Sequence, residues 1–337
     1  MKEALLYEKS KDNSVKCCLC NHKCTIGNGQ FGICHVRQNK DGILYTHVYD
    51  RIVAEHIDPI EKKPLFHFLP GSKSYSVATV GCNFKCRFCQ NANIAQMPAD
   101  QGQISGMHLT PDQVVQTAAN NDCKSISFTY TEPTIYFEFA LETAKKAHEK
   151  NIKNIFVSNG YMSKDAITTI GPWLDAANVD LKSFNNHFYV KYCGGKLTPV
   201  LDNLVTLKDN NVFVEITTLL VTELNDDPKE IKQAADFIVK ELGPETPWHL
   251  SRFHPTYRLK DRPSTPIETL QRSRKIGMDA GLHYVFTGNV PGDTGESTFC
   301  HQCGKLLIDR FGFRIQRNDL DGSICPNCQT PINIVLF

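Results

Sequence analysis

Three cysteines lie close together between residues 81 and 91, in the run Gly-Cys-Asn-Phe-Lys-Cys-Arg-Phe-Cys-Gln-Asn. Cys82, Cys86 and Cys89 form a C-x3-C-x2-C pattern after an apolar, strand-like segment. Each iron of a 4Fe-4S cluster needs a ligand, so three thiolates leave one iron open. A structural zinc ion would need a fourth protein ligand, and no further cysteine or histidine is close by in the sequence. The spacing therefore predicts a 4Fe-4S cluster with one open iron rather than a zinc site.

The open iron provides a position for a small ligand. The amino and carboxylate groups of S-adenosylmethionine (SAM) could fill it and place the sulfonium beside a reducing cluster. The cysteine run, with the aromatic Phe88 before its last cysteine, resembles the signature of the radical SAM superfamily. This resemblance implies an enzyme in which an electron from the cluster cleaves SAM to methionine and a 5′-deoxyadenosyl radical, and the radical abstracts hydrogen from a substrate.

Strands and helices alternate from residue 74 onward, as in a parallel sheet with crossover helices. Candidate strands cover residues 75–80, 125–130, 154–158, 178–181, 212–221 and 247–253, with a seventh at 283–287. Polar caps and prolines predict helix starts at Thr110-Pro111, Ser163, Thr198-Pro199 and Thr265-Pro266. Residues 43–68 are predicted to form strands of a lid-like extension. We predict an α/β fold, namely a partial (β/α)6 TIM-like barrel.

Polar side chains recur at the carboxyl ends of these strands, where parallel sheets bind their ligands. The candidate ligand-binding residues are Thr131, Glu132, Ser158, Asn159, Gly160, Asp180, Lys182, Glu215, Thr217 and His254. Any one of them could be an ordinary capping or solvated residue. Their recurrence at successive strands predicts a polar ligand in the barrel mouth.

Several of these motifs resemble those of pyruvate formate-lyase activating enzymes over residues 74–290, namely Tyr130-Thr131-Glu132-Pro133, Asn159-Gly160, Asp180-Leu181-Lys182 and Phe253-His254-Pro255. The resemblance implies that Glu132 and its neighbours face the methionyl amino group. It also implies ribose and carboxylate contacts for Ser158, Asn159, Asp180, Lys182 and His254, and adds Phe88 to the cofactor-binding set. Val157 stands where those activators carry a cation-binding aspartate, so the resemblance does not extend to a cation site here.

A second group of cysteines precedes the barrel. Cys17, Cys20, Cys24 and Cys34 have the spacing C-x2-C-x3-C-x9-C, with glycines that allow tight turns around a metal. Four thiolates suit either zinc or an auxiliary iron-sulfur cluster. Cys18 or His22 could replace one of these ligands. The metal of this N-terminal site is therefore left open between zinc and iron.

A third group follows the barrel. Cys300, Cys303, Cys325 and Cys328 form two C-x2-C pairs, a pattern typical of a zinc site on a hairpin. The intervening aromatic and aliphatic residues alternate as in a strand, at Phe311, Phe313 and Ile315. We predict zinc in this C-terminal quartet, either as a structural staple or as part of a docking module.

The two ends narrow the resemblance further. The N-terminal cysteine block and the segments 58–64 and 284–290 are similar to those of AmmeMemoRadiSam-system radical SAM enzymes, so the resemblance covers nearly the whole chain. The predicted organisation is a cysteine-rich metal-binding extension at 1–73, a radical SAM partial barrel at 74–290 and a zinc-ribbon-like module at 291–337.

Composition limits the partners. Lys and Arg number 37 against 36 Asp and Glu, so no basic field predicts an obligatory nucleic-acid partner. No apolar run approaches the about 20 residues that span a membrane, and the charged first residues predict no signal peptide. We therefore predict a cytoplasmic protein without a membrane partner. In such a chain the 14 cysteines are metal ligands or reduced thiols, with Cys18, Cys123 and Cys193 as packed thiols.

The resemblance to activating enzymes implies hydrogen abstraction from a glycine of a protein substrate, with an electron donor such as ferredoxin or flavodoxin. Radical modification of a small molecule or an RNA base is the enzymatic alternative. The non-enzymatic alternative is a metal-binding adaptor, and the intact cysteine triad and the polar strand ends argue against it. The sequence identifies no acid-base residues beyond cofactor binding.

Overall fold

The structure is a computed structural model, and it describes residues 1–290 and 292–337. Pro291, the predicted first residue of the C-terminal module, lies outside the described residues. The predicted domain boundaries stay predictions. No helix within the described ranges is both long enough and apolar enough to cross a bilayer.

Short antiparallel strands make up the N-terminal region. They are β1 Lys2–Glu3, β2 Tyr7–Lys9, β3 Val15–Cys17, β4 Thr25–Ile26, β5 Arg37–Lys40, β6 Ile43–Thr46, β7 Arg51–Ile52 and β8 Ala54–Pro59. Two small sheets have the orders β1-β6-β5 and β2-β3-β4. Val15, Leu19 and Ile26 are buried and belong to the same hydrophobic core as the barrel. This shared core attaches the cysteine-rich region to the barrel.

The central sheet contains β8 and the strands β9 Lys73–Ala78, β11 Ser125–Phe128, β12 Lys153–Ser158, β13 Ala176–Asp180, β14 Phe213–Leu220, β15 Trp248–Arg252 and β16 Val285–Gly288. A separate short strand, β10 Met107–His108, pairs with β7. The strand order is β16-β15-β14-β13-β12-β11-β9-β8, and all neighbours are parallel except β8 and β9. Within the described residues β8 and β16 do not pair, so the barrel stays open. The predicted fold class is confirmed.

The segment before β9 differs from the predicted lid. β8 runs antiparallel to β9 and forms an edge of the central sheet. An edge strand of a parallel sheet has unpaired N–H and C=O groups, and β8 satisfies those of β9. Beyond it, Ile60, Leu65 and Phe68 pack against Ile155 and Ala176. The predicted strands are present, but the lid-like role was wrong because β8 belongs to the central sheet and the residues after it belong to a buried core.

Helices connect the parallel strands. They are α1 Ala92–Ala95, α2 Met97–Gln101, α3 Pro111–Asn120, α4 Phe137–Glu149, α5 Lys164–Ile170, α6 Asn186–Phe188, α7 Leu197–Asp209, α8 Pro228–Phe237 and α9 Ile267–Asp279. The predicted caps at Thr110 and Ser163 are confirmed. The predicted start at Thr198 was wrong, since α7 begins at Leu197. Pro199 is tolerated there because first-turn N–H groups have no partner within the helix.

The C-terminal strands are β17 Thr298–Phe299, β18 Leu306–Phe311 and β19 Arg314–Asn318, in one antiparallel sheet. The predicted alternation of aromatic residues along one strand was wrong, because a turn at Gly312 with φ of 59° separates Phe311 from Phe313. Both phenylalanines are exposed at the turn. Leu307 and Ile308 instead pack with barrel aromatics in a second hydrophobic core.

Candidate functional site

The three predicted cluster cysteines lie on one loop between β9 and α1. Cys86 is buried, and Cys82 and Cys89 are partly buried. Burial raises the pKa of the Cys89 thiol to about 11, and the neighbouring Cys86 raises it further. Burial, with Glu132 and Cys86, raises the pKa of Cys82 well above its ordinary value. A cationic metal group bound by this loop would offset the raised pKa values of Cys82 and Cys89, because it stabilises the thiolate forms that bind it.

The turn after α6 holds this loop in place. The backbone N–H of Lys85 donates to the carbonyl of Cys193 at 2.7 Å, and that of Arg87 donates to the carbonyl of Tyr192 at 2.9 Å. A Cβ atom on Gly195 would overlap the ring of Phe84. Only glycine therefore allows this close approach between the turn and the loop.

Cys193 is a neighbour of the cluster loop that the sequence did not reveal. It is fully buried, and burial raises its pKa well above the ordinary value, so its thiol stays protonated. A hydrogen bond from this thiol lowers the pKa of Cys86, and Lys182 lowers it further. A single cysteine so far along the chain has no spacing pattern that could have indicated this contact.

Glu132 connects the ends of two strands. Its Oε1 accepts hydrogen bonds from the Ser158 hydroxyl at 2.8 Å and the Thr134 N–H at 3.1 Å. Its Oε2 accepts from the Asn159 N–H at 2.8 Å. The carboxylate therefore positions the backbone after β11 and β12. Its predicted place beside the methionyl amino group stays a prediction.

Asn159 links these strand ends to the cluster loop. Its Nδ2 donates to the side-chain oxygen of Asn83 at 2.7 Å and lies 3.8 Å from the sulfur of Cys82. The next residue, Gly160, has a φ of +69°, and a Cβ there would lie 2.7 Å from Val179. A predicted ligand-binding turn and a predicted metal ligand are thus in direct contact.

Asp180 and Lys182 form an ion pair at the carboxyl end of β13, with Nζ of Lys182 and Oδ2 of Asp180 2.5 Å apart. Burial alone would lower the pKa of Lys182, but Asp180 and Cys86 raise it above the ordinary lysine value. Lys182 is therefore protonated beside the cysteine loop. A cation in this position is suited to a carboxylate ligand.

The Glu215 carboxylate accepts hydrogen bonds from other groups of the protein. It accepts from the N–H groups of Phe66 and His67 at 3.0 and 2.7 Å, and lies 2.6 Å from Nε2 of His249. In the sheet Thr217 pairs with Asp180, so Glu215 lies two residues nearer the amino end of its strand. The cofactor role predicted for Glu215 stays a prediction, and its contacts indicate a packing role.

The other predicted ligand residues have fewer contacts. The Thr131 hydroxyl donates to the Thr79 carbonyl at 2.8 Å, and the Thr217 hydroxyl donates to Asn178 at 2.9 Å. The ring of Phe88 packs 5.6 Å from that of Phe188. His254 is exposed and hydrogen-bonds through Nδ1 to Ser264 at 3.0 Å. Their roles toward SAM stay predictions.

The C-terminal quartet forms a compact thiol cluster. All four sulfurs lie within 4.8 Å of one another, with Cys300 and Cys328 separated by 3.6 Å and Cys303 and Cys325 by 3.7 Å. A zinc ion with Zn–S bonds of about 2.3 Å would separate sulfurs by about 3.8 Å in a tetrahedron. The donor set therefore fits one tetrahedral ion, and zinc stays our prediction for it.

The N-terminal quartet is arranged differently. Its four cysteines line one cavity. His22 also lines this cavity, and its Nε2 lies 2.8 Å from the Asn83 carbonyl oxygen. Cys18 is not part of the lining and contacts the Lys16 carbonyl instead. The four cysteines thus lie around one cavity, and their role as metal ligands stays a prediction.

Comparisons with known proteins agree with this geometry. The sequence profile of the Radical SAM superfamily matches residues 76–238. An uncharacterized protein of Methanocaldococcus jannaschii is 44% identical over 338 residues, covering 100% of both chains. The chain belongs to the radical SAM superfamily. Membership in this superfamily implies SAM and a 4Fe-4S cluster as cofactors.

More distant similarities extend the comparison. The benzylsuccinate synthase activating enzyme of Thauera aromatica is 23% identical over 162 residues, covering 45% of this chain and 48% of that enzyme. The crystal structure of Streptococcus suis SuiB bound to precursor peptide SuiA has 15% identity and a TM-score of 0.52, covering 68% of this chain and 51% of that chain. The similarity to SuiB concerns the fold alone.

Proposed function

We propose that this radical SAM protein abstracts a hydrogen atom from a glycine of a partner protein. Cys82, Cys86 and Cys89 hold the 4Fe-4S cluster. A reduced cluster bound there supplies one electron that splits SAM into methionine and a 5′-deoxyadenosyl radical, which becomes 5′-deoxyadenosine by taking the hydrogen atom and leaves a substrate radical. The electron comes from a protein donor such as ferredoxin or flavodoxin.

The remaining residues bind and orient SAM. Lys182 is protonated beside the cluster loop and neutralises the methionyl carboxylate. Asp180, which is partnered with Lys182, offers its carboxylate to ribose hydroxyls. Glu132 fixes the backbone of Asn159, and Asn159 in turn contacts Cys82. This chain of contacts keeps the SAM-binding strand ends and the metal ligands in one rigid unit.

The similarity to an activating enzyme is the observation that carries the choice of substrate. Two features of the chain support it. The motifs at residues 130–133, 180–182 and 253–255 resemble those of pyruvate formate-lyase activating enzymes. The barrel is also open between β8 and β16 within the described residues, which leaves a side for a protein loop.

The test follows deuterium from glycine into 5′-deoxyadenosine. Cells of the source organism are grown with glycine deuterated at its α-carbon, and their protein, small-molecule and RNA fractions are separated. Each fraction is incubated anaerobically with reconstituted full-length protein, SAM and a chemical reductant. Mass spectrometry measures deuterium in the 5′-deoxyadenosine, and electron paramagnetic resonance detects a persistent protein-centred glycyl doublet.

We expect deuterium transfer and the doublet only with the protein fraction. Substrate-dependent turnover with small molecules or RNA, and none with protein, would overturn the glycine assignment while keeping the radical chemistry. The triad variant Cys86→Ala should give no signal with any fraction. The matched variant Cys123→Ala removes a buried thiol outside the site and should behave as the wild type.

A further inference from the structure

We propose that Cys17, Cys20, Cys24 and Cys34 bind a second 4Fe-4S cluster rather than a zinc ion. These cysteines line one cavity together with His22, Arg37 and Asn83. In a closed 4Fe-4S cluster each of the four irons takes one thiolate, so this donor set suits a cubane.

The separation of the sulfurs gives an independent argument. Among the described residues, the C-terminal quartet is the only set of three or more cysteine, histidine or carboxylate ligand atoms within 4.8 Å of one another. The N-terminal sulfurs are therefore more widely spread than one tetrahedral ion allows. In a cubane each sulfur ligand binds a different iron, which requires wider separations. The same chain thus contains one quartet with zinc-like spacing and one without it.

Buried donors around the cavity fit a cluster with inorganic sulfides. Arg37 is 1% exposed, lines the cavity and donates from Nη1 to the sulfur of Cys17 at 3.3 Å. Its Nε has no hydrogen-bond partner among the described residues, and neither has Nδ2 of Asn83, which also lines the cavity. Hydrogen bonds to cluster sulfurs are a common feature of iron-sulfur sites. A zinc ion with four thiolates brings no additional acceptors for these groups.

The proposed N-terminal cluster would lie next to the predicted radical SAM cluster. Asn83 lines the N-terminal cavity and directly follows Cys82, a ligand of the predicted radical SAM cluster. The carbonyl of Asn83 accepts a hydrogen bond from His22 at 2.8 Å, which fixes the wall between the two sites. Two redox-active clusters need such proximity to exchange electrons.

Metal content of a triad-deficient protein tests the proposal without any turnover. Full-length protein with Cys82, Cys86 and Cys89 all replaced by Ala is reconstituted anaerobically, and its iron, zinc and Mössbauer spectrum are measured. We expect about four irons in a cubane and about one zinc, against about eight irons and one zinc in the wild type. A triad variant without iron, whether it holds two zincs or only one, overturns the proposal.

Two further variants identify the ligands. Cys17→Ala with Cys20→Ala should halve the iron of the wild type and leave its zinc, while the neighbouring Cys18→Ala should change neither metal. Unchanged iron in the folded double variant would contradict the proposal. If the double variant does not fold, the iron content of the triad-deficient protein still tests the proposal, because that protein keeps all four N-terminal cysteines. Because no assay uses SAM, the outcome is independent of the proposed function.

Discussion

Lys182 offers a direct test of the predicted contact with the SAM carboxylate. Its ammonium lies 2.5 Å from the Asp180 carboxylate, and its side chain is 16% exposed. Asp180 and Cys86 raise its pKa despite burial, so the charge persists near neutral pH. The substitution Lys182→Met keeps a side chain of similar length but removes the charge. We expect it to weaken SAM binding and to leave the cluster in place.

The magnitude follows from the type of contact. A hydrogen bond to a charged group contributes about 1.5 to 3 kcal/mol. At about 1.4 kcal/mol per tenfold change, the Kd for SAM should rise roughly tenfold to a hundredfold. Removing Lys182 also leaves Asp180 unpaired, and its charge then repels the SAM carboxylate. We therefore expect a value near the upper end of this range for Lys182→Met.

The assay is anaerobic calorimetric titration of the reconstituted protein with SAM, together with iron analysis of each sample. Lys191→Met is the matched control, since Lys191 is an exposed lysine in the turn that holds the cluster loop. It should bind SAM as the wild type does. Loss of iron from Lys182→Met with unchanged affinity in the loaded fraction would show that the lysine supports the loop and would refute the carboxylate contact.

Three other perturbations test the packing around the site. Glu138→Ala leaves buried Arg37 without its ion-pair partner and should lower the free energy of unfolding, measured by urea titration, by about 3 to 5 kcal/mol. Adding Arg37→Met should partly restore the stability. Equal stability of the wild type and Glu138→Ala would contradict the ion pair. Gly195→Ala should displace the ring of Phe84 and reduce iron uptake, and full uptake would refute the close approach. Burial lowers the pKa of His67 to about 4 from 6.5, so His67 binds a proton more readily in the unfolded chain. The free energy of unfolding should therefore fall by up to about 3 kcal/mol as the pH is lowered from 6.5 to 4. His67→Gln should make the free energy of unfolding depend less steeply on pH. An unchanged slope in His67→Gln would assign the acid sensitivity to other groups.

The sheet could be predicted from the sequence because its signals are local. Alternating apolar strands and capped helices repeat along the chain, and the predicted strand at 154–158 differs by one residue from β12. Local signals were less certain at boundaries. Pro199 suggested a helix start at Thr198, but a proline fits any of the first helical positions, and α7 begins at Leu197. The turn at Gly312 was missed because the alternation of apolar residues continues across it.

Contacts between distant residues could not be predicted. Arg37 and Glu138 form a buried ion pair across 101 residues, and no periodicity connects them. The hydrogen bond between Asn159 and Asn83, at 2.7 Å, likewise depends on how the strand ends are brought together. Spacing predicted how the cysteines are grouped, but only the three-dimensional arrangement distinguishes a compact quartet of sulfurs from a widely spaced one.

The central claim is that the three cysteines after β9 hold the cluster that cleaves SAM. The most direct measurement is the yield of 5′-deoxyadenosine in an anaerobic single turnover, with a chemical reductant and with iron measured in the same sample. Wild-type protein should form 5′-deoxyadenosine and methionine in equal amounts, and Cys82→Ala, Cys86→Ala and Cys89→Ala should form none, even where iron remains at the N-terminal cysteines. Undiminished 5′-deoxyadenosine from any of these three variants would contradict the account.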